Sequence, residues 1–309
     1  MPRTTGPAGR FAIAAAQRDH RPMHPTLDAL EASARRSETP FGAGRIVWHE
    51  WGAGPPLVLL HGGAGSWRHW ARNIPFLARG RRVLAADTPG LGDSGPPPAG
   101  ASLWDIADAL AEGIRLQAGG VPADLVGFSF GAVISAHVAA HVATGDVPAG
   151  RGGLLDSVTL VGCGALGLKR EPTPLVPVRD RQGAERVAAH RANLASLMLA
   201  DPASIDDLAL AIQAWNSDHA RLRSRGVVSD TAVRDVLPRI DRPLNVIYGE
   251  RDAIAYPHME DRIRLFAELR PAARLRIIPG AGHWVAFEAA EAFNATLAAL
   301  LPLEAAPER

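Results

Sequence analysis

Ser129 lies in Val126-Gly127-Phe128-Ser129-Phe130-Gly131-Ala132, a G-x-S-x-G pattern. The apolar run Ala123-Asp124-Leu125-Val126 leads into it, and Ala132-Val133-Ile134-Ser135-Ala136 follows with helical character. Strand, sharp turn and helix form the context in which this pattern builds a nucleophile elbow. Bulk at either flanking glycine would clash with the strand or the helix, and the serine at the tip takes a strained backbone conformation. Such a turn lifts the Ser129 hydroxyl clear of the sheet. It also aims a helix N-terminus at the hydroxyl, which favours developing negative charge. Gly and Ser are common, so a plain strand-to-helix turn could carry the same five letters. The downstream residues give the pattern its weight.

A serine hydroxyl is a poor nucleophile at neutral pH, so a base must take its proton and a third group must orient the base. Elbow architectures place these groups in the chain order Ser, Asp or Glu, His. Pro243-Leu244-Asn245-Val246-Ile247-Tyr248-Gly249 reads as a strand and runs into Glu250-Arg251-Asp252. Arg274-Leu275-Arg276-Ile277-Ile278-Pro279 reads as another and runs into Gly280-Ala281-Gly282-His283-Trp284. Both candidates therefore follow the C-terminal ends of strands, where open parallel sheets place their sites. His283 is the expected base. Asp252 and Glu250 compete for the acid, with Asp252 favoured because it lies further into the loop.

Attack on a carbonyl also creates an oxyanion, which needs preorganised N–H donors. One expected donor is the backbone of Phe130, the residue after the nucleophile. The other is Gly63, in the loop His61-Gly62-Gly63-Ala64-Gly65-Ser66 after the buried-strand signal Pro56-Leu57-Val58-Leu59-Leu60. A glycine-rich loop can instead cradle phosphate. Neither G-K-[ST] nor a G-x-G-x-x-G after the first strand is present to support that.

The elements that must position these residues alternate. Strands are expected near 45–51, 56–61, 82–86, 123–128, 157–162, 243–249 and 274–279. Helices are expected near 68–78, 103–117, 131–144, 259–270 and 286–301. That alternation implies an α/β fold with a mainly parallel sheet flanked by helices. Between Gly164 and Arg239 it stops. The segment there is helical in character, with periodic Leu194, Leu197, Leu199 and Leu208, Leu210, Ile212.

Taken together, these motifs resemble the α/β-hydrolase superfamily. His61-Gly62-Gly63, Asp87-Thr88-Pro89-Gly90-Leu91-Gly92-Asp93-Ser94, the Ser129 elbow, Gly249-Glu250-Arg251-Asp252 and Gly282-His283 fall in that family's order. The resemblance covers roughly residues 45 to 305. It implies a core over 45–165 and 236–309, a helical cap over 166–235, and a structural, turn-stabilising Asp87. Residues 1–44 are then an N-terminal extension, disordered at its start, with one short helix at Pro25 to Arg36. A narrower resemblance runs to meta-cleavage product hydrolases, which split a carbon–carbon bond in a vinylogous diketone. It rests on His283-Trp284 with Phe287-Glu288 and Phe293-Asn294, and on the loop from His61 to Trp70. Two departures stand against it. Phe128 occupies the place of an asparagine before the nucleophile, and Gln213 falls near the place of a cap arginine. Arg221 or Arg223 could substitute one turn further on. The losses point to a more apolar, less anionic substrate. Phe128, Trp284, Trp67, Gln213, Arg221 and Arg223 are the expected pocket residues. Core packing is the default for aromatics, and His69 reads as a hydrogen-bonded loop histidine.

Bulk properties agree with a soluble enzyme, and the resemblance implies a small-molecule substrate. Lys plus Arg is 33 against 32 for Asp plus Glu, a formal net charge of +1, which gives no electrostatic case for nucleic acid. Lys169 is the only lysine, and no basic block accompanies the arginines. The single cysteine, Cys163, excludes an intrachain disulfide and favours a reducing, cytoplasmic setting. No stretch is long and apolar enough to span a bilayer. The run Phe11-Ala12-Ile13-Ala14-Ala15-Ala16 is shorter than the roughly 7–15 residues of a signal-peptide core. No metal cluster stands out, since His20 and His24 are separated by Pro22 without carboxylate or thiol company. No cofactor is implied, and a homo-oligomer is neither indicated nor excluded. Three functions of different class follow: an ester hydrolase, which is preferred, a carbon–carbon hydrolase, and a non-catalytic receptor on the same fold.

Overall fold

A computed structural model describes residues 24–143, 153–222 and 227–301. The expected disordered start, His20 and Arg223 lie outside the described residues. The strands are β1 Arg35–Phe41, β2 Gly44–Trp51, β3 Pro56–Leu60, β4 Arg82–Asp87, β5 Ala123–Phe128, β6 Leu155–Val161, β7 Leu244–Gly249 and β8 Arg274–Ile278. The helices are α1 Pro25–Ser33, α2 Ile74–Leu77, α3 Leu103–Ala118, α4 Phe130–Ala143, α5 Gly183–Asn193, α6 Asp207–Asp218, α7 Ala232–Val236, α8 Met259–Leu269, α9 Val285–Glu288 and α10 Ala290–Leu300. A 3-10 turn, Trp67–Trp70, precedes α2.

All eight strands form one sheet in the order β1-β2-β4-β3-β5-β6-β7-β8. Pairing is antiparallel at β1–β2 and β2–β4 and parallel from β4 through to β8. Side-chain alternation feeds two cores. Leu57, Leu59, Val83, Ala85, Val126 and Ile247 point to one, with Trp67, Trp70, Phe287 and Phe293. Val58, Leu60, Leu84, Leu125 and Val246 point to the other, with α3, α4, α7 and α8. Both faces are buried, as a parallel sheet requires.

Strand β1 corrects the expectation that the segment before residue 45 is an extension with a helix to Arg36. The helix ends at Ser33, and the chain then joins the sheet, with Ser37 opposite Trp48 and Thr39 opposite Ile46. Its residues Arg35, Arg36, Ser37 and Glu38 carry no apolar alternation because an edge strand has one free side and little to bury. Within the helical insertion, Leu194, Met198, Leu199 and α6 lie with the Trp67 and Trp284 core, while α7 packs with α4 on the opposite face.

The crossing of β5, β3 and α4 positions the elbow. Helix α4 is buried nearly all round, from Phe130 to Ala140 without a break. A Cβ on Gly127 would overlap the Gly131 carbonyl and the Ser135 hydroxyl, and one on Gly131 would overlap the carbonyls of Leu60 and His61. Only glycines let the helix start this close to the sheet. Gly131→Ala should therefore force α4 away from β3 and cost about 1–3 kcal/mol, the range for overpacking a tight core. Urea unfolding of the variant checks this; a midpoint equal to wild type would show that the crossing yields without strain.

Candidate active site

Ser129 follows β5 directly and has φ of +52°, the left-handed region that L side chains rarely adopt. Its amide is tied to the Val161 carbonyl of β6 at 2.8 Å, and its own carbonyl receives the Ala132 and Val133 amides in the first turn of α4. The strain is thus held from both sides. The Ser129 hydroxyl lies 2.9 Å from Nε2 of His283. His283 Nδ1 lies 2.8 Å from Oδ1 of Asp252. A carboxylate only accepts, so Nδ1 carries the proton and Nε2 is left to accept from the hydroxyl. Three residues up to 154 positions apart in the chain thereby form one hydrogen-bonded line.

Asp252 is fully buried. Its Oδ1 also accepts the Ile254 amide at 2.9 Å, while Oδ2 makes no hydrogen bond and faces Gly162. Gly162 has φ of +55°, and a Cβ there would stand 3.1 Å from the His283 ring. It is the back wall of the Asp252–His283 pair, a place the sequence reading missed. Glu250, the competing acid, is exposed and accepts the Gly280 amide at 2.8 Å. The structure brings it to the turn after β8 and not to the imidazole.

The loop after β3 folds over the nucleophile. A Cβ on Gly62 would stand 3.3 Å from Cβ of Ser129. His61 pins this loop through both ring nitrogens: Nε2 accepts the Thr88 amide at 2.9 Å and Nδ1 donates to the Gly62 carbonyl at 2.8 Å. Burial lowers its pKa to about 4, so it is a neutral strut. His69 accepts the Gly62 amide at 3.2 Å on Nδ1, and burial holds it well below the ordinary histidine range. Gly63 is exposed on this loop, and Phe130 is the first residue of α4. Asp87 accepts the amides of Trp67 at 2.8 Å and Asp93 at 2.8 Å, in keeping with a turn-stabilising acid.

The pocket expectations divide. Phe128 is buried with its ring 5.0 Å from that of His283, against the base. Trp284 is fully buried between His69 and Phe287 and donates its indole N–H to the His69 carbonyl at 2.9 Å. Trp67 is corrected to a core residue: its ring meets Trp51 at 5.3 Å and His49 at 5.4 Å, under the Arg68 guanidinium. Arg221 is corrected to a strap, because its guanidinium donates to the Gly92 and Ser94 carbonyls and its amide to Gly90. Gln213 lies half-buried on α6. Cys163 is fully buried, which raises its thiol pKa far above the ordinary value. Among the described residues, Glu31, His49 and Asp93 bring three ligand atoms within 4.8 Å of one another. The Arg68 guanidinium on Glu31 sets a positive charge against a cation there.

Among the described residues, no helix is long and apolar enough to cross a membrane. Over 277 residues the chain is 30% identical to a dihydrolipoyllysine-residue acetyltransferase component of an acetoin cleaving system from Pseudomonas putida, covering 84% of this chain and 67% of that one. It is 28% identical to a 2-hydroxy-6-oxo-6-phenylhexa-2,4-dienoate hydrolase from Burkholderia cepacia, over 81% of this chain and 88% of the relative. Among solved structures, the esterase RhEst1 from Rhodococcus sp. ECU1013 superposes with a TM-score of 0.70 at 23% identity, over 88% of this chain and 99% of that one. The model of the Alpha/beta hydrolase family matches residues 57–296. With an eight-stranded, mostly parallel sheet and a strand–serine–helix elbow at its centre, the chain belongs to that family.

Proposed function

We propose that this hydrolase cleaves a small, neutral carboxylic ester by acyl transfer through Ser129. The observation that carries the reading is the unbroken line Ser129 Oγ to His283 to Asp252 at 2.9 and 2.8 Å. His283 takes the hydroxyl proton as Oγ attacks the ester carbonyl. Asp252 orients the imidazole and stabilises its cation. The amides of Gly63 and Phe130 receive the oxyanion. His283 then returns the proton to the leaving alcohol, and a water activated by the same imidazole releases the acid.

A carbon–carbon hydrolase is the second reading, supported by the similarity to the dienoate hydrolase. Against it stand the Phe128 ring beside the base and the half-buried Gln213 on α6. Arg221 meanwhile spends its guanidinium on main-chain carbonyls. Arg221, one of the two arginines expected to receive a substrate carboxylate, is thus already engaged, and burying an unpartnered carboxylate costs several kcal/mol in order of magnitude.

Three measurements test these statements. A fluorophosphonate probe should label wild type and leave Ser129→Ala unlabelled; equal labelling would remove Ser129 from the chemistry. A wild type that neither labels nor turns over a substrate panel would be a receptor and not an enzyme. Asp252→Asn should lose about four orders of magnitude in kcat, as loss of the orienting acid does in serine proteases, while Glu250→Gln keeps most activity. The opposite pattern would reassign the acid. Neutral short and medium acyl esters should show higher kcat/KM than an anionic dienoate diketone; a wild type that prefers the diketone acid adopts the carbon–carbon reading.

A further inference from the structure

The segment that follows the oxyanion loop is fastened to the helical insertion. Ser66, fully buried, donates its hydroxyl to Oδ1 of Asn216 on α6 at 2.7 Å. The same hydroxyl accepts the Arg68 amide at 3.3 Å and so caps the Trp67–Trp70 turn. Next along the chain, the Arg68 guanidinium lies 3.6 Å from the centre of the Trp215 ring, one residue before Asn216. One turn on, Arg72 pairs with Asp206, the N-cap of α6. Three consecutive contacts thus join residues 66–72 to a single cap helix.

That segment cannot move without the loop over Ser129. Gly65 is wedged between them: a Cβ there would overlap the His69 ring and crowd the Gly62 carbonyl. His69, inside the fastened segment, holds the Gly62 amide. The geometry points to Asn216 as a positioning residue that sets the oxyanion loop from the cap, acting through Ser66. This inference rests on the serine-hydrolase reading above. Asn216 is 1% exposed and touches the loop's anchor, so its effect reaches the transition state through the placement of the Gly63 amide. Oxyanion donors act only when aimed at the position where charge develops, and loss of one costs about 10²–10³ in kcat elsewhere. A loosened tether should cost less than a lost donor.

The test is a double-mutant cycle of Ser66→Ala and Asn216→Ala. It is read by kcat and KM on the best ester of the panel and by the rate of fluorophosphonate labelling. The labelling rate reports on the oxyanion site whatever the natural substrate is. Each single variant should lose on the order of tenfold in kcat and in labelling rate, with KM within about twofold. The double variant should lose no more than the worse single one, because both remove the same link. Trp215→Leu, which leaves the Ser66 link intact, should show a smaller loss and serves if the Asn216 variant fails to fold. Unchanged kcat and labelling, losses that multiply, or a raised KM with unchanged kcat would each overturn the assignment while leaving the hydrolase reading intact. A wild type that does not label overturns both.

Discussion

The close crossing of α4 over β5 and β3 is the constraint on which the rest of this molecule depends. It exists because Gly127 and Gly131 present no side chain where backbone meets backbone. It holds Ser129 at φ of +52°, a conformation an isolated serine would leave. The cost is met by ordinary bonds, the Ser129 amide on Val161 and the first amides of α4 on the Ser129 carbonyl. The other members of the hydrogen-bonded line are placed relative to that point. His283 and Asp252 arrive on loops after β8 and β7, at the same edge of the sheet, because parallel strands all end there.

Around the serine, rigidity is supplied by histidines that carry no charge. His61 and His69 are buried deeply enough to stay neutral, so each acts as a hydrogen-bond strut for the glycine loop. Neither adds a positive charge beside the His283 imidazole. Glu288 completes the frame. Its carboxylate accepts the Gly282 amide from the loop of His283 and the Ala200 and Asp201 amides from the helical insertion. The loop that carries His283 is thereby tied to the helical insertion at Ala200 and Asp201.

Much of this was legible in the residues. The elbow, the order of serine, acid and base, and their places after strands all follow from glycine and apolar patterning that local physics controls. The preference for Asp252 over Glu250 rested on loop depth, and burial separates the two in the same sense. Features that depend on distant partners were not legible. Strand β1 has no apolar period, since among the described residues it is the outermost strand and pairs only with β2. Trp67 stands near the oxyanion loop in sequence, yet it turns into the core beside Trp51. Arg221 offers a free guanidinium on paper, but the carbonyls of Gly92 and Ser94 that claim it come from a loop more than a hundred residues away. Gly162 shows its purpose only when the His283–Asp252 pair is set against it.

Strand β1 has a bearing on how the described sheet ends. It covers β2, whose Ile46, Val47 and Trp48 are buried, and it closes that side through the Trp48 indole on the Thr39 hydroxyl at 2.9 Å. Its own outer margin carries Arg35, Arg36 and Glu38, with Arg36 and Arg45 paired to Glu38 and Arg35 to Glu50. Charge on an outermost strand discourages a second chain from pairing there. Remove the segment before Gly44 and the sheet would end instead in an apolar ribbon with unpaired amides and carbonyls, a ready template for intermolecular β-pairing. By that physics β1 is the selvedge of the described sheet, a charged margin set over an apolar strand.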